Sequence, residues 1–205
     1  MKKIIIWLSV CVMFFSQATE YKVKVKGTNA GKAVLNIATT DTTYTADLTL
    51  HPNMLAKMFG ITDMTDSSKG VLKQGHFYPK TYRRVTTKGK TLFAVDFLGS
   101  QAKKTHKGKT ETVKTNPLGQ DPLAQITQIQ ADILRNQLAS KYHLITEKSE
   151  RVYSATMTQT DSEIQVTLTQ TPDPKRILRL WFNKKGELLR MQKEKRGKID
   201  FDMYK

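Results

Sequence analysis

Four histidines, His51, His76, His106 and His143, are the side chains best suited to metal or acid–base chemistry, and no two stand at ligand spacing. The close acid pairs, Asp63 with Asp66 and Asp200 with Asp202, fall in turns or on a solvated strand face, where solvation is their ordinary state. No Gly-x-Ser-x-Gly elbow, His-Glu-x-x-His pair, phosphate-binding glycine loop or calcium loop occurs. Cys11 is the single cysteine, and it lies in a segment expected to be removed, which excludes disulfides, thiol catalysis and cysteine-held metal. The expectation is a non-enzymatic protein with no catalytic residue, no metal and no cofactor.

Binding chemistry is better represented. Within Arg176 to Phe182, Leu178, Leu180 and Phe182 share one strand face, and Ile177, Arg179 and Trp181 share the other. An exposed Trp181 beside Arg179 would make a contact site, since tryptophan and arginine anchor interfaces; the other reading buries Trp181 under a loop. Lys184, Lys185 and Arg190 extend this surface into a basic C-terminal region able to hold phosphates as point charges.

The elements that position these residues are nearly all strands. Tyr21, Val23 and Val25 alternate with Lys22, Lys24 and Lys26, giving one apolar and one wet face. Further strands are expected at Ala33–Thr39, Tyr44–Leu50, Met64–Lys73, His76–Thr86 and Leu92–Leu98, and Gln101–Thr115 reads as an exposed hairpin or mobile loop. Six more follow between Tyr142 and Tyr204, separated by Thr160-Asp161-Ser162, Pro172-Asp173-Pro174, Lys184-Lys185-Gly186 and Arg196-Gly197. Met54, Leu55, Met58 and Phe59 at helical spacing, ended by Gly60, predict a short helix or turn that either caps the core or gates a cavity.

One segment breaks the β pattern at length. Asp121 is placed as an N-cap and Pro122 as the first helical residue, and apolar residues at helical period run on from Leu123 through Leu138. Only Asp132 and Arg135 carry charge between Pro122 and Ser140, so the helix, expected over Asp121–Ala139, should be covered on most sides. Gln130 and Gln137 fall in its apolar arc and must either satisfy their amides or face water. The fold class is therefore mainly β: an antiparallel curved sheet or half-barrel of about a dozen strands wrapped around one long central helix.

Met1–Ala18 has the form of an export signal: Lys2 and Lys3, an apolar core, and Ser16-Gln17-Ala18 as cleavage site. Residues 19–205 are then a single periplasmic domain, with no later run long enough to span a membrane. The 34 Lys and Arg against 18 Asp and Glu leave a net charge of +14 once Lys2 and Lys3 are gone. Such a balance attracts polyanions, and for an exported protein these are envelope polymers or lipid head groups rather than nucleic acid.

Gly27-x-x-x-Gly31-x-Ala33, Pro79-x-x-Tyr82 and Gln120-Asp121-Pro122-Leu123, in that order, resemble an exported bacterial family known only as a domain of unknown function and placed with the LolA/LolB-like lipoprotein carriers. Ala124 departs from that family's commoner Asp-Pro-Leu-Ser helix start. The resemblance, over roughly Tyr21 to Tyr204, implies an open β-barrel closed by a helix, with no catalytic residue to carry over. The function expected from it is a carrier for a lipid, acyl chain or other amphiphile held between sheet and helix. Phe93, Phe97, Leu123, Ile126, Ile133 and Phe182 would line the site, with Met54, Leu55, Met58 and Phe59 as its gate. The alternative is a filled-core module whose basic face docks on an anionic envelope surface or an acidic partner.

Overall fold

The structure is a computed structural model and describes residues 15–205, with side chains from Ala18 onward. The basic and apolar parts of the expected leader, 1–14, lie outside the described residues. Phe15–Ala18, at its end, begin the first strand, so cleavage after Ala18 would leave that strand paired from Thr19 opposite Leu35 onward.

Fifteen strands form one continuous sheet. The first part of the chain contributes β1 (Phe15–Val25), β2 (Thr28–Thr39), β3 (Thr43–Pro52), the short helix α1 (Met54–Met58), β4 (Met64–Lys73), β5 (His76–Thr86), β6 (Thr91–Phe97), β7 (Gln101–His106) and β8 (Lys109–Lys114). After them come β9 (Gly119–Gln120), α2 (Pro122–Leu134), β10 (Lys141–Ile145), β11 (Glu150–Gln159), β12 (Glu163–Thr171), β13 (Arg176–Asn183), β14 (Leu188–Lys195) and β15 (Lys198–Tyr204). Two antiparallel meanders, β1 to β8 and β10 to β15, join where β1 pairs β15, and β9 adds to β10 as a short parallel edge. The Gln101–Thr115 segment is thus a hairpin, β7 with β8, not a mobile loop.

Local chemistry explains these turns. Lys26-Gly27, Gln74-Gly75, Lys107-Gly108 and Arg196-Gly197 all place both residues at positive φ, the two-residue hairpin geometry that matches strand twist and favours glycine second. Alternation then fills one face: Tyr21, Val23, Ala33, Leu35, Tyr82, Val95, Val166, Leu168, Leu180 and Phe182 are buried. Each such valine, leucine or phenylalanine contributes on the order of 1.5–3 kcal/mol by leaving water.

The sheet rolls until its distant parts meet. Gln120 Nε2 on β9 donates to Phe77 O on β5 (3.1 Å), and Arg84 on β5 reaches Glu147 beyond β10 (3.1 Å). Helix α2 lies inside the roll against β3, β4, β5 and β10.

The expected long central helix is shorter than its apolar run. Asp121 does cap it, accepting from Leu123 N–H (2.9 Å) and Ala124 N–H (3.0 Å), but α2 stops after 13 residues at Leu134. Asn136 turns left-handed (φ 53°), Asn136 N–H donates to Ile133 O, and Gln137 N–H donates to Asp132 O. This paired closure is the usual glycine or asparagine stop. Leu134 and Gln137 are consequently exposed, and Gln130 is half-buried. The buried polar residues of the helix are instead Gln125, Thr127, Gln128 and Asp132.

Candidate functional site

A cavity of about 530 Å³ opens at one end of the roll. Its wall is built from inward positions of many strands: Val23 and Val25 on β1, Leu48 and Leu50 on β3, Leu144 on β10, Leu178 on β13 and Phe201 on β15. Pro122, Leu123, Gln125 and Ile126, the first turns of α2, close the inner side. The size is that of sites for small ligands, and so is the mix of apolar wall and few polar groups.

Of the six expected lining residues, Phe93, Leu123 and Ile126 do face the cavity. Phe97, Ile133 and Phe182 do not. Phe182 is fully buried in the packed part of the core, Ile133 belongs to the last turns of α2, away from the opening, and Phe97 packs against the core at the far end of β6. The expected gate also points elsewhere. Met54 (81 % exposed), Met58 (76 %), Phe59 (78 %) and Leu55 all face solvent, and α1 buries Ala56 alone. Ile61, just after it and bonded through its N–H to Ala56 O, is the residue that reaches the cavity.

The expected contact surface is half neutralised. Trp181 is partly buried with the Arg190 guanidinium 5.1 Å from its ring, and Arg190 is held by both oxygens of Asp202 (2.8 Å each). Arg179 pairs with Glu194. Among the described residues Lys184 and Lys185 form no ion pair, and both stand exposed.

Several polar residues of the cavity carried no motif in the sequence. Asp66 and Arg84 are directly opposite on β4 and β5, so period two puts them on one face, and Arg84 Nε and Nη2 donate to the two Asp66 oxygens at 2.7 and 2.8 Å. Arg84 also bonds Glu147 and the Tyr82 hydroxyl (3.1 Å). The Asp66 hydrogen bonds above all push the guanidinium above its usual range, and burial pushes the Tyr82 phenol up, so neither changes charge near neutrality. Arg151 on β11 and Lys193 on β14 also line the cavity. What could have flagged them is parity: Arg151 shares its face with Tyr153, and Lys193 with Met191, both otherwise inward positions.

Beneath the cavity, Asp121 accepts from Ser68 Oγ (2.7 Å) as well as from the helix. Its burial, opposed by the hydrogen bonds from Ala124, Ser68 and Leu123, pushes its carboxyl up to about 6. At the opposite end lies a polar cleft lined by His76, Gln128, Asp132, Tyr142 and His143. His143 Nδ1 bonds Glu150 (2.7 Å), and its Nε2 faces the Asn116 amide (3.4 Å). Among the described residues no serine or threonine hydroxyl bonds a histidine, and no three metal-ligating side chains converge.

By sequence the chain matches no family profile and no curated protein. By structure it is similar to a β-barrel-like protein of domain of unknown function DUF1849 from Brucella abortus, known from a crystal structure. The TM-score is 0.56 at 9 % identity, with 95 % of this chain and 97 % of that one covered. The chain therefore has a β-barrel-like fold, and at this identity the likeness reaches the fold alone.

Proposed function

We propose that the protein is a non-enzymatic periplasmic carrier that binds a lipid, acyl chain or other amphiphile in the cavity between its curved sheet and the first turns of α2. Kinship with the LolA/LolB-like carriers belongs to the same proposal. The observation that supports it is an end-opening cavity whose lining divides between many apolar side chains and a set of charged ones. Such a division suits a molecule with an apolar body and a polar end. Ile126→Glu places a carboxylate in that wall, where its desolvation opposes an acyl chain. Binding of a fluorescent acyl probe should fall at least about tenfold, the equivalent of about 1.4 kcal/mol. Unchanged binding by a folded variant would sink the assignment.

A second reading rests on α1. Four exposed apolar side chains, Met54, Leu55, Met58 and Phe59, project from a strongly basic chain, a combination that suits docking on an anionic envelope surface. Met58→Ser with Phe59→Ser should leave stability within about 0.5 kcal/mol, since both are exposed. It should weaken co-sedimentation with phosphatidylglycerol vesicles, and 1 M salt, where the screening length is roughly 3 Å, should abolish what remains. Equal sedimentation of the variant and wild type would remove this reading.

A further inference from the structure

The charged groups of the cavity are unbalanced. Six basic and three acidic side chains line it. The acids are already occupied: Asp66 and Glu147 by Arg84, and Glu194 by Arg179. Arg176 is held by Asp173, outside the lining. Among the described residues Lys148, Arg151, Lys193 and Lys195 form no ion pair.

Two of these cations, half-buried Arg151 and solvent-exposed Lys193, border the apolar wall. Arg151 is directly opposite Leu144, and Lys193 lies between Leu178 on one side and Phe201 on the other, all three of which line the cavity. Their aliphatic stems can lie along that wall while their charged ends face the opening. Lys195 is directly opposite Arg176, and like charges in that relation destabilise a sheet. Desolvation first, then Arg151, Arg176 and Arg84, hold the Lys193 ammonium below its usual range, against the opposing pull of Asp200. Positive charge therefore exceeds what Asp200 and the paired carboxylates balance, and an anion would relieve the repulsion.

Deeper in the same cavity a second group lacks a partner. Gln125 is 1 % exposed, lines the cavity, and its Nε2 makes no hydrogen bond. A buried donor left unpaired is costly, which makes Gln125 a point for an oxygen carried by a ligand.

We propose that the ligand is an anionic acyl amphiphile whose carboxylate or phosphate lies between Arg151 and Lys193 and whose chain runs along Leu144, Leu178 and Phe201 toward α2. Gln125 then donates to an oxygen further along, as an ester-linked chain provides. The inference rests on the carrier reading and adds the sign of the head group to it.

Four ligands with the same oleyl chain test it by competition against a fluorescent acyl probe: oleate, oleoyl lysophosphatidic acid, methyl oleate and oleylamine. At least one anion should bind about tenfold tighter than the methyl ester, as a charge-assisted contact requires, with the amine weakest. Arg151→Gln with Lys193→Gln should remove that preference, bringing the anions down to the affinity of methyl oleate. Oleate preferred over the lysophosphatidic acid identifies a carboxylate head, and the reverse a phosphate, for which Gln125→Leu should then cost affinity. Methyl oleate binding as tightly as both anions overturns the inference while the carrier reading stands. A preference for anions that survives the double substitution overturns the placement at Arg151 and Lys193. If none of the four binds the wild-type protein, the carrier reading fails and takes the inference with it.

Discussion

Gln125 and Gln128 are buried amides one turn apart on the same helix, and their surroundings differ completely. Gln128 makes four hydrogen bonds: it accepts from Phe77 N–H (2.8 Å) and Gln120 Nε2 (3.4 Å), and donates to Gly75 O (3.3 Å) and Asp132 Oδ1 (2.7 Å). Gln125 Nε2 makes none. One end of α2 is thus welded to the sheet through polar groups that protein atoms satisfy. The other faces a space whose polar partners must come from elsewhere. The lesson is that this fold divides its interior into an end closed by hydrogen bonds among its own residues, beside the polar cleft, and an open end where apolar surface and the unpaired Gln125 donor coexist.

Breaking the closed end should have the largest effect. Asp132 accepts from Gln128, from Arg135 (2.7 Å) and from the Tyr142 hydroxyl (2.7 Å). Asp132→Ala removes the acceptor these three donors share, leaving the buried Tyr142 hydroxyl unpaired, and should cost about 3–5 kcal/mol in urea unfolding, the usual penalty for breaking a buried charged network. A loss under about 1 kcal/mol would show that the network does not anchor the helix.

Asp121, which caps α2 beneath the cavity, should give a smaller and pH-dependent effect. Its folded carboxyl titrates near 6 against an ordinary value of 3.8, so between these values the folded protein binds more protons than the unfolded chain. Its contribution is fully present below the lower value and is lost as pH rises through about 6, to a total of up to about 3 kcal/mol. Asp121→Asn, which keeps a capping oxygen, should flatten this dependence in thermal unfolding between pH 4 and about 6.5. Identical pH profiles for the two proteins would refute the raised carboxyl.

The open end should respond least. Gln125→Leu removes an unpaired donor, so stability should change by less than about 1 kcal/mol, in either direction. A loss approaching that of Asp132→Ala would mean that Gln125 is structural and would erase the contrast between the two ends.

Much of this architecture is legible in the sequence because period-two alternation and turn chemistry are local signals. The expected spans Met64–Lys73, His76–Thr86 and Glu163–Thr171 coincide with β4, β5 and β12. The start of α2 is equally local, written in Asp121-Pro122. Its end was written too, in Asn136, but the apolar residues Leu134 and Leu138 continue the period past that signal and mask it. The two-residue β9 is too short to carry any pattern. For the site, parity tells which face of a strand is inward but not which end of the roll a residue occupies. Phe93 and Phe97 look equivalent in sequence, yet only Phe93 borders the opening. Arg84, Arg151 and Lys193 went unread because a basic residue at an inward position resembles a solvated one until the register sets Asp66 opposite Arg84, or Leu178 and Phe201 on either side of Lys193.

The central claim, that the open end is a ligand site, is tested most directly by native mass spectrometry of the protein purified from cells without detergent, followed by solvent extraction of what co-purifies. The account predicts a stoichiometric anionic acyl molecule that is lost in Ile126→Glu. An empty wild-type protein that also fails to take up oleate would contradict it.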